Sequence, residues 1–135
     1  MVGINNLTTV KLDEELVKKV AKEVLEGENK GESDLSIVFV GQARMRELNK
    51  KYRGKNRATD VLSFQGNGLG ELVICLREVK KNAKRFNSAF EKELAKVLIH
   101  GILHLSGYEH EKSEKEKDKM SKKEGYYLSL CQGKI

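Results

Sequence analysis

The sequence predicts one α+β domain, in which helices pack against a mixed four-stranded sheet. Short β-branched runs, such as Leu35 to Val40, alternate with segments whose apolar residues recur at helical spacing. A glycine-rich stretch, Gly66 to Gly70, joins two further strand-like runs. The segment from Leu94 to Leu105 is apolar nearly all round, which predicts a helix buried at the centre of the domain. The 135 residues suit a single domain, so we take residues 1–135 as one unit.

The first half of the chain predicts two strands that alternate with two helices. A helix between two strands acts as a crossover, which favours parallel strands, and such connections are right-handed. Gly27 is a plausible end for the first helix. The predicted elements are a strand from Ile4 to Thr8, a helix over about 12–26, a strand from Leu35 to Val40 and a helix over about 42–51.

The second half predicts two strands and then three helices. The glycine-rich connection allows its two strands to pair antiparallel. Ser88 with Glu91 predicts a capping box at the start of the central helix, and Ser113 with Glu116 predicts one for the last helix. The predicted elements are a loop from Arg53 to Asp60, strands from Val61 to Phe64 and from Leu72 to Cys75, a helix over about 77–86, the central helix, and a charged helix over about 114–130.

Composition and charge narrow the class of protein. The hydrophobic content of 39% is typical of a soluble globule, and no apolar run is long enough to span a membrane. The N-terminus lacks the features of a signal peptide, and Cys75 and Cys131 form no Cys-x-x-Cys pair. We therefore expect a cytoplasmic protein without a membrane partner. The net charge of +6 is compatible with a polyanionic partner such as RNA, although interleaved Lys and Glu usually form solvated helix faces.

All three histidines of the chain fall within eleven residues, at His100, His104 and His110. Residues four apart in a helix lie on one face, so the first two imidazoles can point at one spot. Gly107 can end the helix in a left-handed turn, and the returning chain can bring in the third. A lone histidine on an apolar helix is more often a core residue, but packing does not readily explain three. The spacing predicts a zinc site with three protein ligands and one open position, as in catalytic sites.

The histidine spacing is similar to the metzincin protease motif, His-Glu-x-x-His-x-x-Gly-x-x-His. Gly101 stands where those enzymes have the glutamate that acts as general base. A peptidase of that kind needs this carboxylate to take a proton from water. The sequence therefore keeps the metal ligands without the protease machinery. The glycine leaves room for a bulky nucleotide, or it serves close helix packing.

Three segments together resemble the YbeY family of bacterial endoribonucleases. The run from His100 to His110 is similar to the family's His-Gly-x-Leu-His-Leu-x-Gly-Tyr-Asp-His. Tyr52-Arg53-Gly54-Lys55 with Thr59-Asp60-Val61-Leu62-Ser63-Phe64 resembles a second signature, and Gly70-Glu71-Leu72-Val73-Ile74 resembles a third. The resemblance runs in order from about Leu35 to His110. It departs at Gln65, where a proline is usual, and at Glu71 and Glu109, where the family has aspartate.

The resemblance implies a zincin-like α+β fold and a zinc-dependent, single-strand-specific endoribonuclease. It implies one Zn²⁺ per chain, held by the three histidines. It also implies action in ribosomal RNA processing, namely maturation of the 3′ end of 16S rRNA, and in ribosome quality control. The expected partners are ribosomal RNA and the small ribosomal subunit, and the expected state is a monomer.

The candidate catalytic residue is Arg53, because a guanidinium matches the charge that develops on phosphate oxygens. The resemblance places a functionally important arginine at this position. Lys55, Arg57 and Ser63 are candidates for substrate binding, and Glu109 is a candidate for hydrogen bonding to a ligand or carrying a proton. Two other functions stay open, a zinc hydrolase acting on a peptide or small molecule and a non-catalytic, ribosome-associated zinc module.

Overall fold

The computed structural model describes residues 1–109 and 113–132, and it confirms the predicted α+β class. The predicted order of strands and helices is also confirmed, and the ends differ from the predicted bounds by at most two residues. The elements are β1 (Val2–Asn6), α1 (Glu14–Gly27), β2 (Leu35–Val40), α2 (Gln42–Arg53), β3 (Val61–Phe64), β4 (Gly70–Cys75), α3 (Leu76–Arg85), α4 (Phe90–Leu105) and α5 (Glu114–Cys131).

The four strands form one mixed sheet in the order β1-β2-β4-β3. β1, β2 and β4 are parallel, and β3 pairs antiparallel with β4, as the sequence predicts. The turn before β4 depends on glycine, because Gly68 and Gly70 have φ of +67° and +141°. A Cβ at Gly70 would also collide with the carbonyl oxygen of Phe64. The glycine-rich connection therefore brings β3 and β4 together as a tight pair.

The sheet separates a large core from a small one. Alternate strand residues, among them Ile37 and Leu72, face the large core, where α4 packs against α1, α3 and α5. The opposite strand residues, such as Val73, pack with Met45 of α2. The histidine helix α4 is buried on nearly all sides, as its apolar sequence predicts. No helix within residues 1–109 and 113–132 is long and apolar enough to cross a membrane.

The predicted cap of α4 is wrong. The helix begins after Ala89, which makes no side-chain capping bond. Ser88 instead completes the end of α3, where its N–H bonds the carbonyl of Ala83 at 2.8 Å while Asn87 takes a left-handed conformation. The cap predicted for α5 is confirmed, because the Ser113 side chain accepts a hydrogen bond from the N–H of Glu116. A serine between two helices can serve either one, and the tertiary structure decides which.

Candidate active site

His100 and His104 lie side by side in one wall of a cleft. Their rings are 3° from parallel, with centroids 6.5 Å apart, and both side chains are half-buried. This follows from the four-residue spacing on a regular helix, which repeats each direction after about one turn. The predicted shared face is therefore present in the structure.

Each imidazole has an acceptor at Nδ1. The Glu124 carboxylate lies 3.1 Å from Nδ1 of His100, and the Tyr108 carbonyl lies 3.1 Å from Nδ1 of His104. Neither acceptor can donate, so Nδ1 carries the proton, and in the neutral ring the lone pair is on Nε2. Metal-binding histidines in proteins are oriented in this way. The hydrogen bond to Glu124 raises the pKa of His100, although burial lowers it. The negative charge of Asp60 also raises this pKa.

The end of α4 prepares the Tyr108 carbonyl for this role. Gly107 has φ of +109°, its N–H bonds the carbonyl of His104 at 3.1 Å, and the N–H of Tyr108 bonds the carbonyl of Leu103 at 3.1 Å. These two bonds form a Schellman motif, the common way in which a helix ends at a glycine. The predicted stop at Gly107 is confirmed. The same turn that ends the helix places the acceptor for His104.

The third predicted ligand, His110, lies outside the described residues. Within residues 1–109 and 113–132, no three histidine, cysteine or acidic side chains converge closely enough to hold a metal. The three-histidine site therefore stays a prediction. Glu109, the last described residue before the gap, is exposed and lines the same cleft as His100 and His104.

The cleft has a volume of about 440 Å³ and lies between α4, the strand β3 and the end of α2. It brings together an arginine, two histidines, a carboxylate, a hydroxyl and two aromatic rings. Apolar residues of β3 form the rest of its wall. The lining residues are Tyr52, Arg53, Val61, Leu62, Ser63, Phe64, His100, His104 and Glu109.

Arg53 is exposed, and it reaches the cleft because α2 ends at this residue. Gly54 follows in a left-handed conformation, with φ of +69°. The buried amide of Asn49 donates to the carbonyl of Arg57 at 2.8 Å, which ties the loop back to the helix. The structure thus places Arg53 and Ser63 in the cleft wall. Lys55 and Arg57 are exposed in the loop and do not line the cleft.

Gly101 faces the sheet. A Cβ at this position would lie 2.7 Å from Cδ2 of Leu72, which is fully buried in β4. Close packing of α4 on β4 therefore explains the glycine. Of the two sequence-based interpretations of Gly101, the geometry favours packing over room for a nucleotide.

Two acidic residues at the site were not predicted from the sequence. Glu124 comes from α5, a helix whose alternating Lys and Glu indicate only a solvated face. Asp60 precedes β3, where its side chain accepts a hydrogen bond from the N–H of Val61 at 2.8 Å, and its charge acts on His100. The position of Asp60 within the second signature was the one available signal.

A buried cluster holds α5, and so Glu124, against the rest of the domain. The Tyr127 hydroxyl donates to the Glu28 carboxylate at the end of α1, and Lys123 lies 3.5 Å from the same carboxylate. Tyr127 is 1% exposed and packs directly over Gly27, where any Cβ would collide with the ring. Although burial raises the pKa of Glu28, hydrogen bonds from Tyr127 and Tyr108 and the charge of Lys123 lower it overall.

Comparison with known proteins identifies relatives over nearly the whole chain. A family model described as Endoribonuclease YbeY matches residues 3–132. The Endoribonuclease YbeY of Thermodesulfovibrio yellowstonii is 50% identical over 103 residues, which are 70% of this chain and 65% of that protein, so the match spans just under two thirds of its length. The proteins of the same name from Thermotoga maritima and Chlorobium luteolum are 39% and 37% identical. Those matches cover 90% and 93% of this chain, and 79% and 93% of the relatives.

The fold has a solved counterpart. The solution structure of TM1509 from Thermotoga maritima superposes with a TM-score of 0.74 at 35% sequence identity. The superposition covers 99% of this chain and 91% of that one. Sequence, fold and the order of the motifs therefore agree, and the chain belongs to the YbeY family of endoribonucleases.

Proposed function

We propose that this chain is a zinc-dependent, single-strand-specific endoribonuclease that acts on ribosomal RNA. The observation that carries the proposal is the shared cleft, in which Arg53 lies with the parallel imidazoles of His100 and His104. The names of the relatives support cleavage of RNA. Hydrolysis of a phosphodiester needs an activated water and a cation for the charge that develops on the phosphate. The histidines would hold the metal that activates the water, and Arg53 is the cation.

His100, His104 and His110 would hold the metal through imidazole nitrogens. The donor set fits zinc, since Nδ1 of the first two rings is bonded to Glu124 and to the Tyr108 carbonyl, which leaves Nε2 as the ligating atom. When bound in such a site, zinc polarises a phosphoryl oxygen and lowers the pKa of water to about 7. We assign one zinc ion to each chain.

Arg53 would bind the scissile phosphate through its planar guanidinium and stabilise charge on the non-bridging oxygens. Ser63 lies in the adjacent strand and can donate a hydrogen bond to phosphate or sugar. Glu109 is the carboxylate of the cleft wall, and we assign it the transfer of a proton from the attacking water. Lys55 and Arg57 would guide the backbone of the RNA from outside the cleft.

Charge and family membership support an RNA partner. The net charge is +6, and exposed cations cluster at the end of α2 and in the loop that follows, at Lys50, Lys51, Arg53, Lys55 and Arg57. Maturation of the 3′ end of 16S rRNA on the small subunit and a part in ribosome quality control rest on the family alone. We also propose a cytoplasmic location and a monomeric state.

A peptide or small-molecule hydrolase is the second candidate. Gly101 argues against a peptidase of the metzincin type, because it lacks the carboxylate of the general base. A side chain at this position would also point at buried Leu72. A non-catalytic zinc module is the third candidate, and only activity separates it from the first.

Cleavage of labelled RNA by purified protein tests the proposal. We expect a single-stranded ribosomal fragment to be cut, the same fragment in a duplex to resist, and a chelator to abolish cleavage until zinc is restored. Binding should weaken steeply with salt, since contacts to phosphates release counterions. Metal-loaded protein that neither binds nor cuts RNA would exclude the proposal, while binding without cleavage would favour the non-catalytic module.

A further inference from the structure

An exposed aromatic ring stands in the cleft wall beside the proposed phosphate-binding arginine. Within the part of the chain that the structure describes, three aromatic side chains are largely exposed, namely Tyr52 at 55%, Phe86 at 62% and Tyr126 at 56%. Of these three, Tyr52 lines the cleft. Arg53 lines the same cleft, so a ligand that fills the cleft meets both side chains.

The Tyr52 ring packs against a second aromatic ring. It meets the Phe64 ring edge to face, with centroids 5.0 Å apart and planes at 68°. Phe64 is half-buried and packs against the small core on the α2 side of the sheet. The backbone beside the tyrosine is hydrogen-bonded as well, since the N–H groups of Gly54 and Lys55, just after α2, donate to carbonyls of its last turn. A ring that already packs on a neighbour loses less conformational entropy when a ligand stacks on it than a side chain without such a contact.

The charges around the ring indicate the class of ligand. The Lys51 ammonium lies 5.1 Å from the centre of the Tyr52 ring, and Arg53 follows directly. A flat apolar surface with two cations nearby fits a nucleotide, whose base has a π face and whose phosphates are anionic. Lys51 is exposed, so its side chain can move to a flanking phosphate when a base takes its place.

We propose that Tyr52 is a stacking platform for an unpaired nucleobase next to the phosphate that Arg53 contacts. Bases in a duplex already stack on both faces, whereas unpaired bases offer a face to an aromatic side chain. The platform therefore selects single-stranded RNA, and it does so without reading a particular base. This inference rests on the proposed function, because it names the substrate contact of the same cleft.

A single-stranded RNA that carries 2-aminopurine tests the platform, since the fluorescence of this base falls when it stacks. Signals are recorded by rapid mixing, before cleavage accumulates. We expect quenching with the wild type and with Tyr52→Phe. We expect Tyr52→Leu to lose the quenching and to bind RNA roughly five- to a hundredfold more weakly, the range for loss of one stacked base. Tyr126→Leu is the matched control, because this tyrosine is equally exposed and lies outside the cleft.

Abasic substitution tests the same contact from the side of the RNA. We expect one abasic position to weaken binding to the wild type and to have no further effect on Tyr52→Leu. Three results would overturn the platform: equal quenching by the wild type and Tyr52→Leu, an equal loss of quenching in Tyr126→Leu, or an abasic scan without effect on the wild type. Cleavage by the wild type would still support the proposed function in each of these cases. If the wild type neither binds nor cuts RNA, the proposed function itself fails.

Discussion

The carboxylate of Glu124 lies 3.1 Å from Nδ1 of His100, which joins the last helix to the histidine helix at the cleft. A carboxylate at this nitrogen fixes the tautomer of the ring and increases the basicity of the opposite nitrogen. Both side chains are about one-third exposed, so water does not fully screen the pair. The C-terminal helix therefore takes part in the site as well as in the fold.

Glu124→Gln should weaken zinc binding by roughly ten- to a hundredfold, because an amide oxygen accepts a hydrogen bond but lacks the charge that orients and polarises the ring. Competition with a chromophoric chelator measures the affinity directly. Glu114→Gln, at the exposed start of the same helix, is the control and should leave the affinity unchanged. If both variants bind zinc like the wild type, Glu124 is only a surface partner of His100.

Purified protein should contain one divalent ion per chain, with zinc preferred. X-ray fluorescence or plasma emission gives the element and the stoichiometry. His104→Ala should lose the metal, since it removes one of three predicted ligands. Stoichiometric metal in His104→Ala would contradict the three-histidine site.

Arg53→Ala should reduce single-turnover cleavage of RNA by roughly a hundredfold or more, the usual effect of losing one group that stabilises developing charge. Arg53→Lys should recover only part of the rate, because an ammonium makes no bidentate contact. Metal content and circular dichroism should not change, since the side chain is exposed.

Arg44→Ala is the matched control for Arg53, because it lies on the same helix and pairs with Glu47 at the surface. We expect it to cleave at the wild-type rate. Equal rates for Arg53→Ala and Arg44→Ala would show that Arg53 contributes only surface charge, and Glu109 would become the next residue to replace.

Gly101→Ala should destabilise the domain by about 1–3 kcal/mol, because the new methyl group would overlap buried Leu72 and the core has to shift. Gly125→Ala, in α5 with nothing within 4 Å of its Cβ position, should instead stabilise by up to about 1 kcal/mol through helix propensity. Denaturant unfolding measures both. A Gly101→Ala variant as stable as the wild type would show that α4 and β4 are not in close contact there.

Acid should destabilise the protein partly through Glu28. Its pKa is lowered in the folded state, so its contribution to stability is complete above the ordinary value of 4.5 and is lost as pH falls through the folded value. Tyr127→Phe removes one hydrogen bond that lowers this pKa, and the loss of stability in acid should become shallower. Melting temperatures between about pH 3 and 6 test this. Identical profiles for both proteins would exclude the pair as an acid-sensitive contact.

Local patterns in the sequence determined the elements and the central motif. The strand Leu35–Val40 has the predicted bounds, and Gly107 ends the histidine helix as expected. Periodicity and glycine position act within a few residues of the chain, through backbone hydrogen bonds and the restriction of φ and ψ. The shared face of His100 and His104 follows from the same local geometry.

The tertiary structure alone decided which residues come together across the chain. Glu124 meets His100 from 24 positions away, and nothing in its charged helix sets it apart from its neighbours. The role of Gly101 depends on how closely α4 lies on β4, and the use of Ser88 depends on how α3 ends. The packing of whole elements sets these contacts. The helix that carries a side chain determines its direction, but the angle at which two elements meet determines which residue it contacts.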